Sequence, residues 1–461
     1  MENNLLLTFV IYYSLFKKKL LEDNEIIHKL EIPKNSFGVF TTVRRIKKNN
    51  NNDVHGCIGY WSHDYKIIGK DELYNNLLRV SYDAMYNDNR RHQFSPIEKE
   101  PNSYLEIDFM MKPIYTINKN NGIINELNKK FDNNEFGIII QNNGNKATYL
   151  PHVFPNISWE NLLQSIKEKA NIFDDNYKLY AYKIIQFKGN ISLLLLGNVF
   201  SYLQIFEYTH FLTSNIKKDT KYPFIYEIKN GNVVWNEHDE VRNIATIGSI
   251  LKYSNTYKDL ISRKELEYTK EKALEIINSL DKYSSQALSF LGFLYEIVKI
   301  NNKEKYCKKL TESLINADEE FEKPELIIGL LKAGCNVKKV DLSFTKEDSI
   351  FKMNWVTQAL VENEKIPSTR EQRFLEEKIR EIIENKEKME TNYLAVSFEA
   401  LCYLFKRNEN NNLLIELFEL YVELEKRKLC KNIFYGFLHG ECRVDITEHV
   451  INGLYELSMD N

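Results

Sequence analysis

The chain predicts an α+β domain, with a mostly antiparallel sheet and flanking helices, followed by an all-α domain of helical hairpins. Three observations carry this. At 461 residues the chain exceeds the roughly 250–300 residues at which a single hydrophobic core stops growing, so two domains are expected. Up to about residue 190, strand and helix periodicities mix without strict alternation, the pattern of an α+β fold. Beyond about residue 235 only helical spacing remains. The expected organisation is a first domain over 1–190, a connecting segment over 191–234 and a helical domain over 235–461.

The elements follow in order. The apolar run 5–16 is shorter than the ~20 residues of a spanning helix. Lys17, Lys18 and Lys19 follow it, whereas a secretory signal carries its charges in front. It reads as the first amphipathic helix of the domain, over 5–21, with no membrane partner. Strands are expected at 37–45 and at 137–141, the latter turning at Asn142-Asn143-Gly144-Asn145 towards 147–150. Leu105, Ile107, Phe109 and Met111 alternate with Glu106, Asp108 and Met110, the period of a strand that Pro113 stops. Helices are expected at 72–86 and 159–170, a strand at 191–196 and a helix at 206–215. Ala273, Ile276, Ile277 and Leu280 then open a series of buried helical stripes, repeated at Ala287–Leu294 and at Leu414–Tyr421. Short polar breaks join them, so neighbours are antiparallel hairpins, nine to eleven helices in all between 237 and 459.

An apolar share of 43%, with 26 Phe and 28 Tyr, describes a globular protein. Residues 1–195 hold 25 Lys+Arg against 22 Asp+Glu, and the remainder 37 against 43, so neither part has the basic excess of a dedicated nucleic-acid binder. Arg44, Arg45, Lys47 and Lys48 read as a solvated hairpin tip beside an Asn-rich loop insertion. Six cysteines, at 57, 307, 335, 402, 430 and 442, show no C-x-x-C spacing. That argues against a disulfide framework and a zinc ribbon, and for reduced thiols in the cytoplasm. No phosphate loop, dinucleotide fingerprint or serine elbow is present, so the sequence names no cofactor and no metal.

Chemistry concentrates in Val54-His55-Gly56-Cys57-Ile58-Gly59. Gly56 and Gly59 permit backbone bends that would present the Cys57 thiol to a ligand. On a regular strand His55 and Cys57 share a face, which makes His55, or else His63, the candidate base for a thiol nucleophile. The plainer reading is an inert buried thiol between packing glycines. Glu106 and Asp108 share the polar face of their strand, as an acid and base lining a cleft or as residues facing water. In the helical domain Asp445 and His449 stand four apart on one helix, near Arg443, His439 and Glu441. They form either a ligand corner or a polar network holding the last helix to the first through Arg242. Glu237, Asp239, Glu240 and Glu441 are the carboxylates from which a glycosidase pair would be drawn.

The first domain resembles the AMMECR domain family. Gly38-Val39-Phe40-Thr41-Thr42 is similar to its Gly-x-Phe-Val-Thr strand, and His55-Gly56-Cys57-Ile58-Gly59 to its Arg-Gly-Cys-Ile-Gly signature, with histidine in place of arginine. Asp88-Asn89-Arg90, with Phe94 and Pro96, resembles its Asp-Pro-Arg-Phe-x-Pro segment, and Leu150-Pro151-His152-Val153 with Trp159 its Leu-Pro-x-Val…Trp stretch. The resemblance implies a ligand-binding or catalytic cleft around Cys57, with Gly56, Gly59 and Arg90 beside it. It also implies either an enzyme acting beside radical-SAM or Memo-type partner proteins or a non-enzymatic interaction scaffold. The helical domain resembles the α/α-toroid proteins, the six-hairpin architecture of several glycosidases and epimerases. Arg242-Asn243-Ile244-Ala245-Thr246 is similar to their Arg-x-x-x-Thr helix start and Arg443-Val444-Asp445-Ile446-Thr447-Glu448-His449 to their Arg-x-Asp-x-x-x-His closing helix. This implies a closed ring, with an open α-solenoid as the plainer alternative, and as a further reading a carbohydrate-active enzyme.

Overall fold

A computed structural model describes residues 2–16, 30, 32–46, 52–93, 97, 102–117, 122–132, 134–142, 144–151, 157–214, 225–229, 232–235, 239–257, 260–297, 302–318, 322–337, 342–407, 411–428 and 441–458. The chain divides into two compact units, Met1–Leu195 and Leu196–Asn461.

The first unit runs α1 (Glu2–Phe16), β1 (Ser36–Ile46), β2 (Asn52–Trp61), α2 (Lys70–Tyr86), β3 (Ser103–Thr116), α3 (Ile123–Lys130), β4 (Phe136–Asn142), β5 (Asn145–Tyr149), α4 (Trp159–Lys169), β6 (Lys178–Asn190) and α5 (Ile191–Leu195). Its six strands form one antiparallel sheet in the order β2-β1-β3-β6-β4-β5. Alternation divides the strands between two faces. On one face, Thr41 meets Ser81 of α2 at 2.8 Å and Val43 is fully buried. Phe40, Thr42, Glu106, Asp108, Tyr182 and Gln186 fall on the other. The sheet curls around this second face, because Lys146 Nζ of β5 reaches His63 Nδ1 beyond β2 at 2.7 Å and Tyr65 donates to Gln141 of β4 at 2.6 Å. A separate core of Leu127, Ile138, Trp159, Ile166 and Leu179 seats α3 and α4.

Three expectations are corrected here. α1 is not amphipathic: Leu6 to Tyr12 are buried consecutively, so the helix is enclosed on all sides. Pro113 does not stop β3 but shifts its register, and pairing resumes at Tyr115 opposite Ala181. The run after residue 190 is the helix α5, not a strand, with Ile191, Ser192 and Leu195 buried at helical spacing.

The second unit contains α6 (Asn198–Ser214), β7 (Ile225–Lys229), β8 (Asn232–Trp235), α7 (Glu240–Thr256), α8 (Arg263–Asn278), α9 (Ser285–Ser289), α10 (Leu294–Ile297), α11 (Lys303–Ser313), α12 (Glu322–Lys332), α13 (Ile350–Glu362), α14 (Thr369–Glu384), α15 (Thr391–Arg407), α16 (Asn411–Lys426), β9 (Glu441–Arg443) and α17 (Val444–Ser458). The late strand β9 departs from the expected all-helical pattern, pairing with β7, which also pairs with β8. The stretch Ile191–Thr213 has the length and mean hydropathy (23 residues, 1.3) of a bilayer span, but 62% of its most apolar stretch is buried. Helix α5 ends at Leu195 and α6 begins at Asn198.

Helix starts are set by side-chain caps: Asp239 accepts from the Arg242 amide, and Ser262 with Glu265 and Ser368 with Glu371 form reciprocal capping boxes. Helix α7 packs on α9, α9 on α12, α12 on α13, α13 on α15, α15 on α17, and α17 on α7. Glycines set the closeness of these contacts. A Cβ on Gly248 would lie 2.5 Å from the Phe290 carbonyl oxygen, one on Gly292 2.2 Å from the Gly329 oxygen, and one on Gly329 2.6 Å from the Ser289 oxygen. Backbone therefore touches backbone where α7, the α9 end and α12 meet.

The cysteines overturn the expectation of reduced thiols. Cys307 of α11 and Cys335, just after α12, are joined in a disulfide, their Cα atoms 5.8 Å apart. Cys442 is also disulfide-bonded, to a partner outside the described residues, while Cys57 and Cys402 are free.

Candidate functional site

In β2 the signature segment is shaped by a bulge. Val43 pairs with Gly56 and Arg44 with Val54, which leaves His55 as the extra residue. His55 is thereby turned to the α2 side, where Nδ1 accepts from Arg45 Nε at 3.1 Å and Nε2 donates to the Met85 carbonyl at 3.0 Å. Cys57 pairs with Thr42 on the opposite face, and its Sγ accepts from Thr42 Oγ1 at 3.2 Å. The expected shared face is thus corrected: with both ring nitrogens committed beneath the sheet, His55 cannot take a proton from Cys57. His63 is bonded to Lys146 instead.

The glycines serve packing. A Cβ on Gly56 would fall 2.0 Å from the Ala84 oxygen of α2, and one on Gly59 2.2 Å from the Phe40 ring. Burial pushes the Cys57 thiol up, against the opposing bond from Thr42 and the positive charges of Arg90 and Lys169. This thiol is not activated.

What the segment does present is backbone. The Cys57 amide donates to Asp88 Oδ2 at 2.9 Å, and Arg90 Nη2 donates to the Cys57 carbonyl at 3.2 Å. Arg90 also grips both oxygens of Asp88, at 2.9 and 2.6 Å. Burial alone would raise the Asp88 carboxyl, yet the bonds from Arg90 and the Cys57 amide hold it down at about 2. The Asp88–Arg90 pair thus caps an edge strand where a further strand would pair. Glu106 and Asp108 share the curled face, but neither faces water. Glu106 bridges Arg44 at 2.6 Å and Lys188 at 2.8 Å, which keep it ionised despite burial. Burial pushes Asp108 up to about 7, against a 2.9 Å bond from Gln186.

The helical unit holds a chamber lined by residues of α7, α12, α13, α15 and α17. Two hollows of about 370 and 510 Å³ share Ala245, Ser249, Phe290, Glu325, Trp355 and Asn452 as walls. The larger adds Arg242, Asp445, Glu448 and His449. Arg242 Nε meets Asp445 Oδ2 at 3.2 Å, and Arg443 Nε meets Oδ1 at 3.0 Å, linking α7, β9 and α17. His449 Nδ1 donates to Glu399 Oε2 at 2.7 Å, which also accepts from Asn354 at 2.9 Å, itself bonded by Gln358 at 3.1 Å. Burial opposes charge on His449, but Glu399 outweighs it and raises the imidazole above its ordinary value. Glu325 is the opposite case: burial pushes it up to about 7, and among the described residues its Oε2 is buried with no hydrogen-bond partner. Glu448, which accepts from Tyr208, is pushed up by burial to about 8.

Residues 10–192 match the family model described as AMMECR1. An AMMECR1 family domain is present in this chain. Among solved structures, the chain is similar to the crystal structure of uncharacterized protein PH0010 from Pyrococcus horikoshii, at 20% identity and a TM-score of 0.30, covering 41% of this chain and 89% of that one. No curated protein matches.

Within the AMMECR1 domain the fold brings Cys57, Asp88 and Arg90 together, places Glu106 and Asp108 on the same face as Cys57, and sends His55 to the other side. Phe94, Pro96, His152 and Val153 lie outside the described residues. Outside the AMMECR1 domain, Arg242, Asp445 and His449 meet at one chamber. Glu441 sits in β9 opposite Glu227, its side chain outside the described set, and Glu237 and His439 lie outside the described residues altogether. The sequence reading missed Glu325, Glu399, Glu448 and Glu456. Glu399 and Glu456 are lone acids inside apolar helical runs, such as Phe398-Glu399-Ala400-Leu401, and that is the signal that finds them. Glu325, behind Glu322, Lys323 and Pro324, and Glu448, between Thr447 and His449, carry no such signal.

Proposed function

We propose that the helical unit binds a small polyhydroxylated ligand of the carbohydrate class in its chamber, with Glu325 and His449 as the acid–base groups. One observation carries this: a buried carboxyl that lines both hollows, has an oxygen without a hydrogen-bond partner among the described residues and is pushed up by burial to about 7. A carboxyl of this kind gives or takes a proton at neutral pH. His449, with Nδ1 fixed on Glu399, offers Nε2 to a ligand, and Trp355, whose ring centroid is 6.2 Å from that of His449, supplies an apolar wall. The test is isothermal titration of the full chain with glucose, N-acetylglucosamine, glucuronate and glucose 6-phosphate. Binding that is lost in Glu325→Gln and Trp355→Ala supports the reading, and absence of binding by all four sinks it.

The α/α-toroid architecture belongs to the same proposal, supported by the order of inner-helix neighbours, in which α17 returns to α7. For the AMMECR1 domain the alternative to a Cys57 enzyme is favoured: the edge at Cys57, capped by Asp88 and Arg90, suits a binding or scaffold role better than nucleophilic catalysis, because the thiol is not activated. Radical-SAM or Memo-type proteins are the partners that reading would test, by co-purification with and without Arg90→Ala. As to location, sparse cysteines suit the cytoplasm, whereas bonded ones suit an oxidising compartment. The bonds are the more direct observation, and alkylation of the protein in intact cells before lysis decides between the two.

A further inference from the structure

The larger hollow holds a second acceptor left over besides Glu325 Oε2. Asn392, the second residue of α15, lines it, and its Oδ1 is buried with no hydrogen-bond partner among the described residues. Among those residues neither end of this amide is hydrogen-bonded, so the side chain caps nothing in the first turn of its own helix. A buried amide oxygen without a donor carries its full desolvation cost, and a folded chain that keeps one calls for a donor from outside. The position of Asn392 fits such a donor. Helix α13 packs on both α12 and α15, and its Phe351 and Trp355, four residues apart, line the same hollow. A flat body laid on those two rings therefore has Glu325 of α12 towards one side and Asn392 of α15 towards the other. A carboxyl can move a proton, whereas an amide only donates and accepts hydrogen bonds, as a hydroxyl does. Asn392 thus recognises without taking part in acid–base chemistry.

We propose that Asn392 is a specificity residue of the chamber, its Oδ1 accepting a hydrogen bond from one hydroxyl of a ligand whose ring lies on Phe351 and Trp355. This rests on the chamber being the ligand site. The test is Asn392→Leu in the full chain, a change close in size that removes the amide, titrated with the same glucose, N-acetylglucosamine, glucuronate and glucose 6-phosphate. The ligand that the unmodified protein binds most tightly should lose affinity by about ten-fold or more. The thermal midpoint of the ligand-free variant should stay level or rise, because an apolar group replaces a buried acceptor that had no donor. A merely structural role gives the reverse, a lower midpoint with affinity kept. Binding that Glu325→Gln and Trp355→Ala abolish but Asn392→Leu leaves within about three-fold overturns this inference and leaves the chamber reading standing. Binding of none of the four by the unmodified protein overturns both. If Asn392→Leu does not fold, Asn392→Ala gives the same readout, and failure of both to fold overturns the inference, because the amide then serves the start of α15.

Discussion

Glu399 accepts a hydrogen bond from His449 at 2.7 Å while Asn354 donates to the same carboxylate oxygen at 2.9 Å. The imidazole is therefore held in one orientation by a carboxylate that is itself held. Removing the charge in Glu399→Gln leaves burial as the main influence on His449, so its raised pKa should fall below the ordinary 6.5. Stability linked to this pair is complete below pH 6.5 and is lost as pH rises through the raised value. NMR titration of the His449 ring protons checks this, and an unchanged midpoint refutes it.

Glu325 gives the same sign of pH dependence from a different cause, burial rather than a paired charge. Its carboxyl moves from the ordinary 4.5 to about 7, so the native state keeps a proton that the unfolded chain gives up. Stability should fall as pH rises from 4.5 to 7. Glu325→Gln should remove that slope and be more stable above pH 7, by on the order of 3 kcal/mol. Urea unfolding at pH 5 and pH 8 measures it, and equal slopes in the two proteins argue against the assignment.

Cys57 should react with iodoacetamide at pH 7.5 more slowly than glutathione, because burial raises its thiol. Without reductant the bonded cysteines stay silent. His55→Gln should leave the rate unchanged, since the imidazole lies across the sheet. Fast labelling that depends on His55 would restore the thiol–imidazole pair.

Gly329→Ala places a methyl group 2.6 Å from the Ser289 oxygen and beside Gly292. A loss of about 1–3 kcal/mol is expected, the usual cost of overpacking. Thermal unfolding within error of the parent protein would show that the helices can move apart freely.

The Cys307–Cys335 bond closes a segment with a sequence separation of 28. Loop-closure entropy assigns it about 3–4 kcal/mol. Cys307→Ser with Cys335→Ser should lower the denaturation midpoint by a matching amount, and reductant should then have a smaller effect on the variant than on the parent. Equal midpoints would mean that the bond constrains nothing the packing does not already hold.

Much of this architecture was legible because period and burial coincide. Ala273, Ile276 and Ile277 lie on the buried stripe of α8, as their spacing requires. In β3 the alternation marks the strand but not a wet face, since Glu106, Asp108 and Met110 are buried along with Leu105, Ile107 and Phe109. Strand β6 was not legible, because exposed Lys178, Lys183, Gln186 and Lys188 interrupt its buried positions. The bulge at His55 leaves no mark in residue type, yet it alone decides which way the ring turns. The disulfide partners belong to α11 and the end of α12 and meet only when that hairpin forms. At the chamber, Arg242, Asp445 and His449 were readable as a cluster, but Glu325 and Glu399 come from other helices, and only tertiary packing brings Glu325 to the same hollow and Glu399 against His449.

Helix α17 supplies Asp445, His449, Asn452 and Glu456 to the two hollows. A nascent polypeptide on the ribosome therefore has no finished chamber until synthesis has passed residue 456. The AMMECR1 domain, complete some 260 residues earlier, emerges long before the cavity can hold anything.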